Sequence, residues 1–205
     1  MKLYWSKASP YVRKVMVVAH ECGLAAEIER DDIMVAMSEA NPRLLPDNPL
    51  SQIPTLVLDD GTTLHDSRVI CEYLDTLRNG ERLFPPAGPA RWDALKRQAL
   101  GDGMLDALIV WRQERLKPSV HQTQAWLDTF ALKVATTLDQ LDATVAMFAD
   151  RRFDIGYVAL GCALGYIDFR FADLAWRATR PALAEWHAAF ESRPSARATH
   201  PEQPT

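Results

Sequence analysis

The chain has 205 residues, 48% of them hydrophobic and 24% charged, and its formal net charge is −4. This length suits one or two globular domains, and the slight negative charge argues against nucleic-acid binding through phosphate neutralisation. No apolar run reaches the roughly 18 residues of a membrane helix, and Met1–Trp5 lacks a signal peptide's apolar core. We therefore expect a soluble cytoplasmic protein without a membrane partner.

The N-terminal part alternates strand and helix patterns. Lys2–Trp5 predicts a short strand, and residues 12–19 repeat apolar side chains at helical spacing, with Gly23 as the stop. The alternating residues Ala26–Arg30 predict a second, more exposed strand. Met34–Ala40 predicts a short helix, which an Asn-Pro pair then ends.

A proline-rich loop separates these elements from a predicted hairpin. Thr55–Leu58 and Thr62–His65 are rich in β-formers and flank the turn sequence DDG, which indicates two antiparallel strands. Helical spacing returns from Ser67. Glycine and proline then dominate residues 80–89, which predicts a linker.

Strand patterns end at this linker. Residues 91–116, 122–149, 155–171 and 181–191 all have helical patterns. We expect an α/β domain at residues 1–79, a linker at 80–89 and an all-α domain at 90–205. The polar tail from Pro194 is expected to fray at its end.

The cysteines and histidines give no metal pattern. Cys22, Cys71 and Cys162 stand singly, without a CxxC pair, and are expected to be buried thiols. The histidines lack the spacing of metal ligands, so no metal is expected.

Ser9 precedes the first predicted helix, and Pro10 suits its first position. A capping role alone explains this pair. A helix N-terminus also presents unpaired N–H groups and partial positive charge, so the Ser9 hydroxyl could instead donate to a bound anion. The residues alone leave both roles open.

Two further places combine structural signals with binding chemistry. Asp66 and Ser67 repeat the arrangement at the next helix, where they cap it or hold the ammonium and carboxylate of a zwitterion. Ile53 and Pro54 precede a strand, and a cis bond there would turn the Ile53 backbone outward to pair with an extended peptide.

Four segments, taken in order, carry a resemblance to a known family: SPYVRKV, NPLSQIPTL, HDSRVICEYL and LAEWHAAFESRPSARA. Together they resemble the cytosolic glutathione transferases, most closely bacterial members with serine at the thiol site. The resemblance implies a thioredoxin-like N-terminal domain, a helical-bundle C-terminal domain and a homodimer. It implies attack of the glutathione thiolate on a small electrophile, as in detoxification, with glutathione as co-substrate and no cofactor.

The resemblance also implies roles for the motif residues. Ser9 would be the catalytic residue facing the glutathione sulfur, and Ile53, before a cis Pro54, would pair with the cysteinyl backbone. Asp66 and Ser67 would hold the γ-glutamyl ammonium and carboxylate. Gln52 would reach the glycyl end.

The second-substrate pocket is less well specified. Trp5, Tyr11, Trp111 and Tyr166 are its candidates, although aromatic side chains also dominate protein cores. Met104, Arg112 and Arg115 are further candidates, although we expect the two arginines to be solvated or ion-paired rather than ligands.

In the implied homodimer, Asp102 or Asp106 could approach the partner's γ-glutamyl site; the alternative is an ordinary surface acid.

The chain departs from the family pattern at two positions. Ser51 replaces a common glycine, so the local backbone is expected to differ. In the stretch FDIGYVALG, Asp154 can cap a helix, but Tyr157 stands where the reciprocal acid of a capping box belongs.

Two other functions stay open. A thiol–disulfide reductase on the same fold would need a cysteine at the first helix, where Ser9 stands. A non-catalytic binding protein could keep the fold while its site is lost or repurposed. Ser9, Asp66 and Ser67 speak against lost glutathione binding, but not against a silent transferase that docks another protein.

Overall fold

Strands and helices alternate in the first part of the chain, and helices follow. The computed structural model describes residues 1–148 and 152–202. The strands are β1 (Lys2–Trp5), β2 (Glu29–Asp32), β3 (Thr55–Val57) and β4 (Thr63–Leu64). The helices are α1 (Pro10–Glu21), α2 (Ser67–Leu77), α3 (Gly88–Leu116), α4 (Gln124–Thr144), α5 (Ile155–Arg170), α6 (Trp176–Thr179), α7 (Pro181–Glu191) and α8 (Pro194–Ala198).

The chain divides into two units. Met1–Arg91 and the segment from Pro194 form the first, and Trp92–Arg193 form the second. The first unit holds a four-stranded mixed sheet in the order β2-β1-β3-β4. The second is mostly helical. The predicted fold class, a thioredoxin-like domain followed by a helical domain, is confirmed.

β1 lies inside the sheet and fixes its register. It pairs in parallel with β2 and antiparallel with β3, so that Leu3 lies between Arg30 and Leu56. A parallel pair needs a crossover connection, which α1 provides between β1 and β2. β3 and β4 form the predicted antiparallel hairpin.

The end of α1 is set by Gly23, as predicted. Its φ is 74°, in the left-handed region that glycine adopts readily. The N–H of Gly23 donates to the C=O of His20 at 3.1 Å, and that of Leu24 donates to Ala19 at 2.8 Å. This pair of bonds is a Schellman motif, which turns the chain toward β2.

The predicted helix over Met34–Ala40 is wrong. Met34 and Met37 would share one helical face, but their exposed fractions are 77% and 69%. Ile33 is buried instead, and Val35 packs against the same core cluster. Apolar contacts two residues apart favour extended chain over helix. The second strand, predicted over Ala26–Arg30, begins three residues later and ends two residues later, as β2.

The glycine- and proline-rich linker is anchored to α2. Leu83 and Phe84 are buried, and their N–H groups donate to the two carboxylate oxygens of the buried Asp75, at 2.7 and 3.0 Å. A buried N–H without an acceptor is costly, so Asp75 stabilises this segment. α3 already begins at Gly88.

α5 is the central helix of the second unit, and every residue from Ile155 to Ile167 is buried. Glycines let neighbouring elements approach it closely. A Cβ at Gly101 of α3 would lie 2.7 Å from the carbonyl carbon of Ala159, and one at Gly161 would lie 2.5 Å from the Phe190 ring.

The predicted helices of the second unit are found, with shifted ends. The segment predicted over 122–149 ends as α4 at Thr144, followed by a 3-10 turn over Val145–Phe148, and residue 149 lies outside the described residues. Within the described residues, no single helix has the length and hydropathy to cross a membrane. Only α5 and the following segment to Thr179, joined at a 95° bend, meet that criterion together.

The polar tail is partly helical. α8 packs against α1, where the Ser195 hydroxyl donates to Glu21 at 2.5 Å and Arg13 donates to the C=O of Ala196 at 3.4 Å. These two hydrogen bonds hold the tail against α1. The expected frayed end falls on residues 203–205, outside the described part of the chain.

Candidate functional site

Ser9 is the N-cap of α1. Its backbone is extended, Pro10 occupies the first turn, and its Oγ accepts from the N–H of Val12 at 3.3 Å. Among the described residues, no group accepts the hydroxyl proton of Ser9. Capping uses an oxygen lone pair and leaves the proton for donation, so the two roles considered for Ser9 are compatible.

The loop before β3 is organised by Asn48, which the sequence analysis missed. Asn48 is buried, and its amide donates to the C=O of Gln52 at 3.0 Å and to Thr55 Oγ1 at 2.9 Å. Its Oδ1 accepts from the N–H of Leu50. The Gln52 backbone is therefore fixed, while its side chain is exposed. The sequence signal that could have identified Asn48 is an asparagine within a proline-rich loop.

Ile53 presents unpaired backbone beside this fixed loop. The Ile53–Pro54 bond is cis. Within the described part of the chain, neither the N–H nor the C=O of Ile53 makes a hydrogen bond. Such backbone groups can pair with an extended peptide, as an added strand does.

Asp66 and Ser67 begin α2 with unused hydrogen-bonding capacity. Asp66 Oδ1 accepts from the N–H of Arg68 at 2.8 Å, and its Oδ2 has no partner among the described residues. Ser67 is only 3% exposed, yet its hydroxyl bonds to none of the residues described. The Ser67 hydroxyl is therefore available to donate to a ligand.

The sheet register brings these groups to one end of the first unit. Tyr4 pairs with Thr55, so the end of β1, which leads to Ser9, lies beside the start of β3, which follows Ile53. Leu64 pairs with Leu56, so β4 ends on the same side before Asp66. Three segments distant in sequence therefore converge.

The aromatic candidates lie in both units. In the first unit, Trp5 and Tyr11 are half-buried. In the second, Trp111 and Tyr166 are buried, and the Trp111 ring lies 5.0 Å from that of Phe171. This arrangement fits the core-packing alternative for Trp111.

The two arginines of α3 differ from each other. Arg115 is ion-paired with Asp173 at 2.8 Å, as expected. Arg112 is half-buried and makes no ion pair or hydrogen bond with any described residue.

Ser51 adopts the conformation that a glycine would allow. Its φ is 51°, and its hydroxyl accepts from the N–H of Asn41 at 2.7 Å. A non-glycine residue is uncommon in this region, and the hydrogen bond helps to hold Ser51 there.

The N-cap of α5 is supported by an arginine instead of the second acid of a capping box. Asp154 accepts from the N–H groups of Gly156 and Tyr157, and Arg97 pairs with its second oxygen at 2.6 Å. The Arg97 guanidinium lies 4.7 Å from the centre of the Tyr157 ring. Tyr157 thus supports the cation that binds Asp154.

The thiols are poorly suited to redox chemistry. Cys71 and Cys162 are buried, as predicted, and Cys22 is half-buried. Burial raises the pKa of the Cys22 thiol to about 11, so little thiolate forms near neutral pH. Across the described residues, no group of His, Cys, Asp and Glu side chains could hold a metal ion.

The two acids proposed to reach a partner chain also differ. Asp102 is buried within its own chain, so the surface-acid alternative is wrong for it, whereas Asp106 is exposed.

Comparison with known proteins gives one consistent family. Residues 8–77 match the model of the glutathione S-transferase N-terminal domain. A glutathione transferase family member from Pseudomonas fluorescens Pf-5, solved with bound glutathione, is 42% identical; the match covers 98% of this chain and 99% of that one, with a TM-score of 0.94.

Two further relatives are similar along their whole length. A glutathione S-transferase from Methylobacillus flagellatus, solved with glutathione, is 35% identical over 98% of this chain and 99% of its own, with a TM-score of 0.87. The uncharacterised GST-like protein YibF of Escherichia coli is 29% identical, with 98% of each chain covered. The chain belongs to the glutathione transferase family.

Proposed function

We propose that this protein is a glutathione transferase that activates the glutathione thiol for attack on a small electrophile. One observation carries the proposal: unsatisfied polar groups of three segments converge at one end of the sheet, as the register of β1, β3 and β4 requires. Their chemistry complements glutathione, which offers a thiol, a peptide backbone and a zwitterionic γ-glutamyl end.

Each group of the tripeptide has a proposed partner. The Ser9 hydroxyl donates to the sulfur, and the Ile53 backbone pairs with the cysteinyl residue. Asp66 Oδ2 accepts from the γ-glutamyl ammonium, and Ser67 donates to its carboxylate. The exposed Gln52 side chain binds the glycyl end.

Relatives support this assignment. The proteins from Pseudomonas fluorescens and Methylobacillus flagellatus were solved with glutathione. A second structure of a Pseudomonas fluorescens family member, 41% identical to this chain with a TM-score of 0.89, holds S-(propanoic acid)-glutathione. Such a thioether is the product type that conjugation yields, and we extend this chemistry to the present chain.

Ser9 and the N-terminus of α1 can supply the free energy that thiol activation requires. A free thiol has a pKa of about 8.5, and lowering it to about 6.5 requires about 2.7 kcal/mol. A hydrogen bond to the charged sulfur contributes about 1.5–3 kcal/mol, and a helix N-terminus about 0.3–1 kcal/mol. Ser9 and α1 together are sufficient.

The remaining functional assignments follow the family. We propose that residues 1–79 bind glutathione, that 80–89 link the domains and that 90–205 contribute to second-substrate binding. Trp5, Tyr11, Trp111 and Tyr166 stay candidates for that pocket. The protein acts as a homodimer in the cytoplasm, where it removes electrophiles; three cysteines outside any disulfide fit a reducing compartment.

Two measurements test the proposal. Calorimetry should give saturable glutathione binding, and 1-chloro-2,4-dinitrobenzene should be conjugated with release of chloride. Binding without turnover of any electrophile tried would favour the non-catalytic alternative. Reduction of a small glutathione mixed disulfide would favour the reductase, although Ser9 offers no thiol there. Absence of glutathione binding would contradict the transferase and the reductase and would favour a binding protein whose glutathione site is lost.

A further inference from the structure

Two neighbouring residues of the sheet contact two consecutive residues of the loop before β3. Tyr4 of β1 and Thr55 of β3 are paired directly across the sheet, so their side chains lie on one face. The Tyr4 hydroxyl donates to Oδ2 of Asp47 at 2.6 Å. Thr55 Oγ1 accepts from the amide of Asn48 at 2.9 Å. The sheet therefore anchors the loop at two adjacent points.

The C=O of Gln52 is held by the second of these points. It accepts from Thr55 Oγ1 at 2.8 Å and from the Asn48 amide at 3.0 Å. Thr55 and Asn48 are 0% and 1% exposed, so this carbonyl is directed into the protein. The three groups form a closed triangle, in which the Thr55 hydroxyl donates once and accepts once.

The direction of the Gln52 carbonyl determines the direction of the Ile53 N–H. The two groups belong to one planar trans peptide, in which C=O and N–H point in opposite directions. Because the carbonyl is bound on the protein side, the N–H is directed away from the loop interior, where a ligand can reach it. The Ile53 side chain packs against the buried cluster of Tyr4, Ile33 and Leu44, which fixes the rest of the residue.

Tyr4 stabilises the part of the loop that carries the Asn48 amide. Tyr4 is 5% exposed, and its hydroxyl lies 3.3 Å from the ammonium of Lys2. An ammonium can only donate, so the hydroxyl gives its own proton to Asp47. Asp47 immediately precedes Asn48, and this bond therefore keeps the Asn48 amide within reach of Gln52.

We propose that Thr55 and Tyr4 are positioning residues for glutathione. Thr55 acts through the C=O of Gln52, and Tyr4 acts through Asp47. Together they hold the Ile53 backbone where it exchanges two hydrogen bonds with the cysteinyl residue, one from its N–H and one to its C=O. The inference rests on the proposed function and adds two buried residues that act from behind the binding surface.

An analogue of glutathione in which an ester oxygen replaces the cysteinyl N–H tests this inference. The analogue lacks the donor for the Ile53 C=O and keeps the thiol, the ammonium and both carboxylates. By calorimetry on the full chain, the unmodified protein should bind it about 5- to 20-fold more weakly than glutathione, as expected for one lost hydrogen bond.

Thr55→Val keeps the shape of the side chain and removes one of the two donors to the Gln52 C=O. It should raise the Kd for glutathione by about 5- to 20-fold. The ratio of the two Kd values should fall below about 3, because a misplaced Ile53 no longer makes the bond that the analogue lacks. A loss of stability alone would leave this ratio unchanged.

Three further variants complete the comparison. Thr55→Ser keeps the hydroxyl and should restore both the glutathione affinity and the ratio. Thr63→Val, which removes a hydroxyl from β4 of the same sheet, is the matched control and should change neither. Tyr4→Phe should lower the ratio as Thr55→Val does, and it provides the test if Thr55→Val does not fold. Melting curves verify that each variant is folded at the temperature of the titration.

The outcomes separate this inference from the proposed function. If Thr55→Val and Tyr4→Phe bind glutathione as the unmodified protein does, or keep the full ratio, the inference is overturned and glutathione binding stands. Equal affinity of the unmodified protein for both ligands would also overturn it, since Ile53 would then not pair with the cysteinyl N–H. Absence of glutathione binding by the unmodified protein would overturn the transferase assignment, and this inference with it.

Discussion

Asp66 uses its two carboxylate oxygens for different purposes. Oδ1 caps α2 by accepting from the N–H of Arg68, and Oδ2 is available to a ligand. The Ser67 hydroxyl makes no internal bond in the described structure, so its removal takes nothing from the folded chain. These residues therefore allow binding to be separated from folding.

Asp66→Asn and Ser67→Ala should each raise the Kd for glutathione by about 10- to 100-fold, the cost of one charge-assisted contact. Asparagine is an equally good N-cap, so the melting temperature should not change. The contacts are made in ground and transition states alike, so kcat should change little. Calorimetry and steady-state kinetics check this, and an unchanged Kd in either variant would contradict the assignment.

At the scale of elements, the contact between α3 and α5 depends on a missing Cβ. Gly101→Ala would place a methyl group against the Ala159 backbone and should destabilise the protein by about 1–3 kcal/mol. Gly103 is the matched control, because nothing lies within 4 Å of its Cβ position. Gly103→Ala should stabilise by about 0.5–1 kcal/mol through helix propensity. Denaturant unfolding measures both; equal effects would contradict this account of the packing.

The start of α4 is tied to the end of α3 by Glu114. Its carboxylate accepts from the N–H of Thr123 at 2.7 Å and from Lys117 at 2.5 Å. The hydrogen bond from Lys117, followed by that from Thr123, lowers the pKa of Glu114. The stabilisation is therefore complete above the unfolded pKa, about 4.3, and is lost as pH falls through the lower folded value.

Glu114→Gln removes this titration. The melting temperature of the unmodified protein should exceed that of the variant by a constant margin between neutrality and about pH 5, and the margin should shrink below about pH 4.3. Thermal melts across this range check the sign. A margin that grows as pH falls would contradict it.

Regular elements were predicted well because their signals are local. The spacing of apolar residues predicted α1 and α2, and the DDG turn predicted the β3–β4 hairpin. Met34–Ala40 failed because exposure of Met34 and Met37 is decided by distant packing. α8 was missed because its partners, Glu21 and Arg13, lie over 170 residues away in sequence.

Prediction of the candidate site from the sequence was limited in the same way, because it depends on contacts between distant residues. Residue types at helix starts pointed to Ser9, Asp66 and Ser67, but neither their convergence nor the unpaired oxygen of Asp66 could be known without the register. Asn48 was missed because its importance lies in the loop groups that it contacts. Such properties belong to the folded chain.

At the scale of the whole molecule, exposed apolar side chains support the proposed dimer. Val69 and Leu77 of α2 are exposed, and Trp92 of α3 is 70% exposed. Contiguous apolar patches on a surface mark interaction sites, and we propose that these side chains belong to one. Because Asp102 is buried, Asp106 is the remaining acid proposed to reach the partner's site.

Sedimentation should show a dimer at micromolar concentration. Trp92→Glu should raise the dimer dissociation constant by about 30-fold or more, as expected for an interface tryptophan. Trp126→Glu, at an exposed tryptophan of α4, is the matched control and should leave the dimer unchanged. A monomer at this concentration, or equal effects of both substitutions, would contradict the proposal.

Thiol activation by Ser9 is the central claim, and the pKa of bound glutathione tests it most directly. Thiolate absorbance should be titrated in saturated complexes of the unmodified protein and of Ser9→Ala and Ser9→Gly. Glycine is a tolerable N-cap, so Ser9→Gly separates the thiolate role from capping. Melting curves show how much capping each variant loses.

We expect the thiol to titrate near pH 6.5 in the unmodified complex and about one to two units higher in both variants, because the hydrogen bond to the thiolate is lost. Near pH 6.5 the thiolate fraction, and with it the conjugation rate, should fall about 5- to 50-fold, while glutathione affinity at high pH is kept. A thiol pKa that is the same in all three complexes would contradict the account and leave Ser9 as a helix cap alone.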